Sequence, residues 1–361
     1  MRPFDILDIE IYGGSHTPEI GGKLAGLPEG ETFRPAAVDE LMRRRKSGTY
    51  LFSTPRREED EVVWEGCSLE GDELRVDGAL TARIFNRNIR PSDYSYSRTP
   101  RPSHADYTAF IKDGSGAALS GGGRFSGRMT APLVALGGVA EELLLRRGIR
   151  VMAYIGELAG VKGRSYLDGE VTSDEIAACH SRPLPMLSNI DKAAEAVEKA
   201  MEAHDSVGGV VECIAYGVPA GLGDALFDGL ESKLSAALFA VPAVKGVEFG
   251  AGFALAGMRG SRANDPFAVK DGRVITLTNN SGGINGGISN GMPLTMRAVF
   301  RPTPSISLPQ RTVDLDTLTE TTIEVRGRHD ATVVPRAVAA VEAAAALAIL
   351  DAVLTHTERK L

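Results

Sequence analysis

The sequence predicts an α+β fold with a layer of long helices covered by sheets. Two observations carry this. Four long helical patterns recur along the chain, and strand-like stretches fall between them. A third sets the domain count. The 361 residues are 43% hydrophobic, enough for a sizeable core, and no convincing linker interrupts them, so residues 1–361 read as a single domain.

The elements follow in order. A helix is expected near Ala36 to Arg45, then strands over Val62 to Leu69 and Leu74 to Phe85. Arg87 to Asp106 is rich in Pro, Ser, Tyr and Arg and reads as an ordered loop. Arg128 to Arg147 is helical in pattern despite Pro132 and the Gly137-Gly138 pair, and Ile149 to Ile155 is the strand after it. Ile190 to His204 is a helix with Ser188 or Asn189 as its expected cap. Val210 to Tyr216 is a strand, Leu226 to Ala240 a helix, and a further strand lies near Val247. Pro335 to Thr357 is an Ala-rich helix in which Pro335 suits the first turn. A helix ends before Gly148-Ile149 and another before Gly246-Val247, which hints at an internal duplication.

The formal charge of −7 gives no global pull toward nucleic acid or an anionic membrane. Yet Arg43, Arg44, Arg45, Lys46, Arg56 and Arg57 cluster, a pattern that suits a small anionic ligand as well as it suits a solvated charged face. Cys67, Cys179 and Cys213 are widely separated, which argues against a disulfide framework and a structural zinc site, so no metal is expected. The first residues show no apolar signal region. Glu342 and Asp351 interrupt the longest apolar tract, which therefore reads as a packed helix and not a membrane span. A soluble, cytoplasmic protein is the expectation.

Two segments concentrate the chemistry: RPSHADY (Arg101 to Tyr107) and SGGGRFSGR (Ser120 to Arg128). They place arginines and a histidine around a glycine run. Glycines let backbone N–H groups approach a ligand, arginine forks match phosphate and carboxylate, and histidine exchanges protons near neutral pH. The combination suits a polyanion undergoing proton-coupled chemistry. His104 reads either as a general acid or as a histidine held structurally by Asp106; His16, after Gly13-Gly14-Ser15, reads as a catalyst or as an ordinary loop residue. Neither Gly121 to Gly123 nor Gly282 to Gly287 fits the dinucleotide fingerprint, and there is no phosphate loop of the G-x-x-x-x-G-K-[ST] type.

These segments resemble the chorismate synthase family, whose corresponding patterns are RPGHADY and GGGRSSAR. The resemblance runs nearly end to end. YGGSH (Tyr12 to His16) is similar to FGESH, RRRKSGT (Arg43 to Thr49) to RRRPGT, SGGINGGISNG (Ser281 to Gly291) to AGGILGGISSG, and RPTPSI (Arg301 to Ile306) to KPTSSI, while GRHD (Gly327 to Asp330) is identical. The resemblance implies a β-α-β sandwich with helices between two antiparallel sheets. It implies a 1,4-elimination of phosphate from 5-enolpyruvylshikimate-3-phosphate that needs reduced FMN. By the same resemblance His16 protonates reduced flavin, His104 acts at the departing phosphate, and Asp330 assists proton transfer. Flavin contacts are expected from Arg124, Phe125, Ser126, Pro242, Ala243, Gly286, Arg301, Pro302, Thr303, Pro304, Ser305 and Arg328. Arg45, Arg101 and Arg128 remain for the substrate anions. The family is a homotetramer whose flavin pocket borrows residues from a neighbour. No nicotinamide fingerprint is visible, so an external flavin reductant is expected.

The chain also departs from the family's pattern. Gly14 stands for a glutamate, Thr17 for a glycine, Leu51 for an arginine, Phe125 for a serine, Met129 for a glutamate, Pro242 for an asparagine and Pro304 for a serine; Val76 to Leu80 replaces a hydroxyl-rich patch. A paralogue acting on a different cyclic polyanion, or a non-catalytic flavin- or anion-binding protein, are the other readings of such a chain.

Overall fold

The computed structural model describes residues 4–53, 58–87, 98–114, 122–325 and 330–358. The first sheet is built from β1 (Asp8–Gly13), β2 (Glu19–Ala25), β3 (Thr32–Phe33), β4 (Val62–Glu70) and β5 (Glu73–Phe85). The second joins β6 (Arg150–Leu158), β7 (Val161–Lys162), β8 (Gly209–Tyr216), β9 (Val244–Phe249) and β14 (Leu294–Phe300). Two-stranded hairpins form from β10 (Phe267–Lys270) with β11 (Arg273–Thr276), β12 (Ile284–Asn285) with β13 (Ile288–Ser289), and β15 (Gln310–Asp314) with β16 (Thr319–Ile323). All these strand pairings are antiparallel.

The helices are α1 (Pro35–Arg45), α2 (Asp106–Asp113), α3 (Thr130–Arg146), α4 (Ser173–Cys179), α5 (Ile190–Glu202), α6 (Leu230–Phe239), α7 (Gly260–Ala263) and α8 (Val334–Glu358). α3 packs on the first sheet through β2 and β5, α8 packs on the second through β6 and β8, and α3, α1 and α6 all pack on α8. The helical layer thus lies between the two sheets, as the sequence predicts. In the second sheet β6 and β9 flank the central β8–β14 pair, each following a helix, so the two helix–strand units occupy equivalent positions.

α8 explains how an apolar helix tolerates two acids. It is long and apolar enough to cross a membrane, yet 94% of its most apolar window is buried inside the protein. Asp351 accepts hydrogen bonds from the backbone N–H groups of Asp5, Ile6 and Leu7, which pins the N-terminal segment. Glu342 accepts two bonds from Arg44 and one from the Ala153 N–H, which ties α1, α8 and β6 together. Each buried carboxylate is matched by donors, as burial of charge requires.

The Gly137-Gly138 pair in α3 has a packing reason. A Cβ on Gly137 would stand 2.2 Å from the Ala343 Cβ of α8, and one on Gly138 would stand 3.1 Å from Val38 of α1. The pair lowers local helix propensity but lets three helices meet at close range. Pro132 falls in the first turn of α3, where its missing N–H costs nothing.

Three expectations are corrected. The helix expected over Leu226 to Ala240 is broken. Leu226–Asp228 is a separate 3-10 turn with Leu226 left-handed at φ 57, and α6 starts only at Leu230. The cause is the β12–β13 hairpin, where the Gly287 carbonyl accepts the Leu230 N–H at the start of α6. Asn189 holds the N-cap position of α5, as expected, but in the left-handed region at φ 58, and neither its side chain nor that of Ser188 makes a capping hydrogen bond. Ser188 Oγ accepts from the Arg164 N–H, Asn189 Nδ2 donates to the Lys162 carbonyl, and both thereby fasten the helix start to the strand edge. α3 begins two residues later than expected, because Gly127–Met129 form a 3-10 turn with Ser126 accepting from the Arg128 N–H. Residues 88–97, half of the Arg87 to Asp106 loop, lie outside the described residues.

Glu141 on α3 gives the core a pH dependence. Its Oε1 is buried with no hydrogen-bond partner among the described residues. Burial raises its pKa well above the ordinary carboxyl range; Glu342 and Glu142 add to this, and Arg44 opposes it. A folded-state pKa above the unfolded value of about 4.3 means that the folded state holds a proton the unfolded state releases, so stability falls as pH rises above that point. Glu141→Gln is expected to match the parent near pH 4 and to melt progressively higher than it toward pH 8. A melting difference that is constant across that range would contradict the assignment.

Candidate active site

The site forms where α1, α2, α3 and α8 converge. A cavity of about 590 Å3 opens there, within the ~300–1,000 Å3 usual for small-molecule sites. Arg45, Arg101, Arg124, Arg128, Arg301 and Arg336 line it, together with the carboxylates of Glu58, Asp60, Asp106 and Asp330, and with His104. Among the described residues, six guanidinium groups against four carboxylates give the lining an excess of positive charge within an acidic protein. This focuses an anion there and not on the surface at large.

Arg45 closes α1 and is almost fully buried. Its Nε donates to Thr130 Oγ1 at 2.9 Å, its Nη1 to Asp60 Oδ2 at 2.8 Å and its Nη2 to the Gly127 carbonyl at 3.2 Å. Burial pulls its pKa down to about 9, with Asp60 opposing, so it is still charged at neutral pH. Arg128 donates through Nε to Asn86 Oδ1 at 3.0 Å and through Nη1 to Asp60 Oδ1. Its Nη2 is buried and has no hydrogen-bond partner among the described residues.

Asp60 therefore bridges two arginines that are 83 residues apart in the chain. Burial alone would raise its pKa, but Arg45 and Arg128 overrule that effect and hold the carboxyl below its ordinary range. Its backbone is left-handed at φ 50, a conformation a non-glycine residue holds only where its surroundings fix it.

The RPSHADY segment turns tightly at Ser103, which has φ 60. Arg101 is buried and held by Asp106, which accepts from its backbone N–H, Nε and Nη2 at 3.0, 2.8 and 2.8 Å. Burial works to raise the Asp106 pKa, and the bonds from Arg101 reverse the sign and lower it. His104 Nε2 lies 2.6 Å from Ser305 Oγ, a contact that joins this segment to the RPTPSI segment. Arg301 reaches the Ser103 carbonyl; its Nε, like Thr303 Oγ1, is buried with no hydrogen-bond partner among the described residues. Burial lowers the Arg301 pKa. Beside them Arg124 pairs with Asp113 and sits 4.9 Å over the ring of Phe125, which is half exposed to the cavity.

The expected residues can now be placed. Of the catalytic set, His104 and Asp330 line the cavity. His16 does not, although its turn abuts the wall: the Ser15 N–H donates to the Gly123 carbonyl at 3.2 Å. Arg124, Phe125, Ser126, Pro242, Ala243, Arg301, Thr303, Pro304 and Ser305 line the cavity, whereas Pro302 and Gly286 do not. Arg45, Arg101 and Arg128 all do. Arg328, with Arg56, Arg57 and His329, lies outside the described residues. Leu51 is outside the lining and half exposed, with its N–H on the Pro183 carbonyl. Thr17, where the family pattern has glycine, closes its own turn: its Oγ1 accepts from the Gly14 N–H at 2.9 Å.

Sequence reasoning missed Asp60, Asn86 and Arg336. Arg336 lines the cavity from the first turn of α8, donates to Asp330 Oδ2 at 3.1 Å and reaches the Arg45 carbonyl at 3.4 Å. Its signal was a lone charge opening an apolar helix. Asp60 sits in the acidic run Glu58 to Glu61, where the side chains of Glu58 and Asp60 are 10% and 1% exposed, and those of Glu59 and Glu61 are 70% and 72% exposed. That alternation is strand-like and continues into β4, so a period-two reading of the run could have found it.

Comparison with known proteins gives a consistent picture. The chorismate synthase family model matches residues 7–354. The chain is 42% identical over 354 residues to a chorismate synthase of Dehalococcoides mccartyi, covering 97% of this chain and 95% of that protein. It is 44% identical over 353 residues to a chorismate synthase of Thermococcus kodakarensis, covering 97% and 96%. A crystal structure of a chorismate synthase superposes with a TM-score of 0.72 at 22% identity, over 98% of this chain and 93% of the other, which establishes likeness of fold.

Proposed function

The chain belongs to the chorismate synthase family, and from that premise we propose that its cavity holds 5-enolpyruvylshikimate-3-phosphate beside reduced FMN and expels phosphate to give chorismate. The observation that carries this is the convergence of six arginines and His104 on one cavity. The substrate bears two carboxylates and a phosphate, and guanidinium forks suit all three.

The reaction breaks the allylic C–O bond to phosphate and a C–H bond on the ring, and it forms a second ring double bond; no net oxidation occurs. Arg45 and Arg128, locked by Asp60, present fixed positive charge that orients the substrate and needs no rearrangement as charge develops. His104, oriented by Ser305, donates a proton to the departing phosphate oxygen. Asp330, paired with Arg336, is the carboxylate set to accept a proton within the same cavity.

The residues present fit FMN. Arg124 to Ser126, Pro242, Ala243, Arg301 and Thr303 to Ser305 would hold it, and the orphaned Arg301 Nε and Thr303 Oγ1 are polar atoms that such a ligand would satisfy. Bound there, reduced FMN would supply transient electron density for breaking the C–O bond. His16 would be the proton donor toward the reduced flavin in this reading. Gly286 stands outside this chain's own cavity lining, which agrees with a homotetramer in which neighbouring subunits complete each flavin pocket. The exposed apolar side chains of Phe267, Val269 and Val274 on the β10–β11 hairpin fit a subunit contact. We place the enzyme in the cytoplasm, supplied with reduced flavin by a separate reductant.

Flavin should bind weakly alone and markedly more tightly once the phosphate substrate shares the cavity. Titration of flavin absorbance with and without substrate reads this directly. Anaerobic incubation with photoreduced FMN should then yield chorismate and inorganic phosphate in equal amounts. No flavin binding in either titration would remove this reading.

A further inference from the structure

The reaction as derived gives no task to Asn86, yet this residue sits where the His16 turn meets Arg128. It follows the end of β5 and is buried. Its Nδ2 donates to the carbonyls of Gly14, at 3.1 Å, and Thr17, at 2.8 Å, the two residues that bracket Ser15 and His16. Its Oδ1 accepts from Arg128 Nε at 3.0 Å. Its own N–H donates to the Pro18 carbonyl at 2.9 Å.

These partners determine the orientation of the amide. Two carbonyls can only accept and an arginine Nε can only donate, so the flipped amide would set oxygen against oxygen and N–H against N–H. Arg128 is then fixed on two edges, by Asn86 at Nε and by Asp60 at Nη1, while its Nη2 makes no hydrogen bond among the described residues and lies 4.0 Å from Glu58 Oε2 in the cavity that both residues line. The His16 turn has other ties, from Thr17 Oγ1 to Gly14 and from the Ser15 N–H to Gly123. The turn therefore does not need Asn86 in order to form. What Asn86 adds is a rigid link of one side chain between that turn and the anion-binding guanidinium.

We propose that Asn86 is a positioning residue that holds His16 in register with the Arg128 anion contact, so that the proton donor and the bound substrate share one frame. This rests on the reading of His16 and Arg128 given above. Displacement of a reacting group by about 1 Å can cost on the order of a hundredfold in rate. A link made by one buried amide is well suited to prevent such a displacement.

Asn86→Asp separates the two halves of the link. It keeps an oxygen for Arg128 and loses both donors to the His16 turn. In anaerobic assays with reduced FMN, Asn86→Asp should lower kcat by roughly tenfold or more, within that hundredfold range, with KM nearly unchanged. Calorimetry without flavin should show that it binds the phosphate substrate as the parent does, whereas Asn86→Ala binds it more weakly. In a His16→Ala background Asn86→Asp should have no further effect on kcat, because the residue it positions is gone. Parental kcat in Asn86→Asp, or a loss that adds in full to that of His16→Ala, would overturn the proposal alone. A fully active His16→Ala would overturn the assigned role of His16 and this proposal with it. Should Asn86→Asp not fold, Asn86→Ala carries the same test: its kcat loss vanishes in the His16→Ala background and its KM rise persists.

Discussion

Replacing His104 with alanine is expected to lower kcat by about two to four orders of magnitude, the range for loss of a general acid. Phosphate is the leaving group, and His104 is the histidine that lines the cavity within 2.6 Å of a hydroxyl able to orient its ring. The protein should remain folded. His104 sits in a turn outside the hydrophobic core, where its backbone N–H donates to the Arg101 carbonyl and its ring meets Ser305. Ser305→Ala should show a smaller loss of the same kind, since the imidazole remains but its orientation is freer. Chorismate formation under anaerobic, reduced-flavin conditions measures both. Turnover of His104→Ala within threefold of the parent would remove His104 from the chemistry.

Asp60→Ala is expected to be the most damaging single change to the site's framework. It leaves the Arg45 and Arg128 guanidinium groups buried side by side with no shared carboxylate. Removing one partner of a buried ion pair costs about 3–5 kcal/mol. The pH dependence follows from the depressed pKa of Asp60. Its stabilisation is present above the unfolded carboxyl value of about 3.9 and is lost as pH falls through the lower folded value. The gap between parent and Asp60→Ala should therefore be full at pH 7 and shrink in strong acid. Added phosphate should raise the melting temperature of the variant more than that of the parent, because an external anion can replace the missing carboxylate. Urea unfolding free energies within about 1 kcal/mol of the parent, with no extra response to phosphate, would show that Asp60 does not brace the pair.

Much of this protein was legible in its sequence. Helix and strand periods located the elements that became α1, α3, α5, α8, β4, β5, β6, β8 and β9 within a few residues, because burial on one face imposes those periods wherever a chain packs. The interrupted apolar tract was correctly a core helix. The RPSHADY and SGGGRFSGR segments marked the cavity because glycine, arginine and histidine in short range have few other uses.

Tertiary structure alone decided what those residues meet. Asp60 looks like its three acidic neighbours until Arg45 and Arg128 arrive from either side of it in the chain. Asn86 is an unremarked residue at a strand end until the His16 turn and Arg128 close around it. Gly137 weakens its own helix locally and is required only because α8 passes 2.2 Å from where its Cβ would stand. The helix expected over Leu226 to Ala240 breaks because a hairpin nearly 60 residues later supplies the Gly287 carbonyl to Leu230. The physical reason is common to all four. A local pattern records that a side chain is buried or that a backbone is helical, since those costs are paid within one or two turns of chain. The identity of the partner that satisfies a buried charge, a donor or a close contact is set by packing between distant segments, and no local period encodes it.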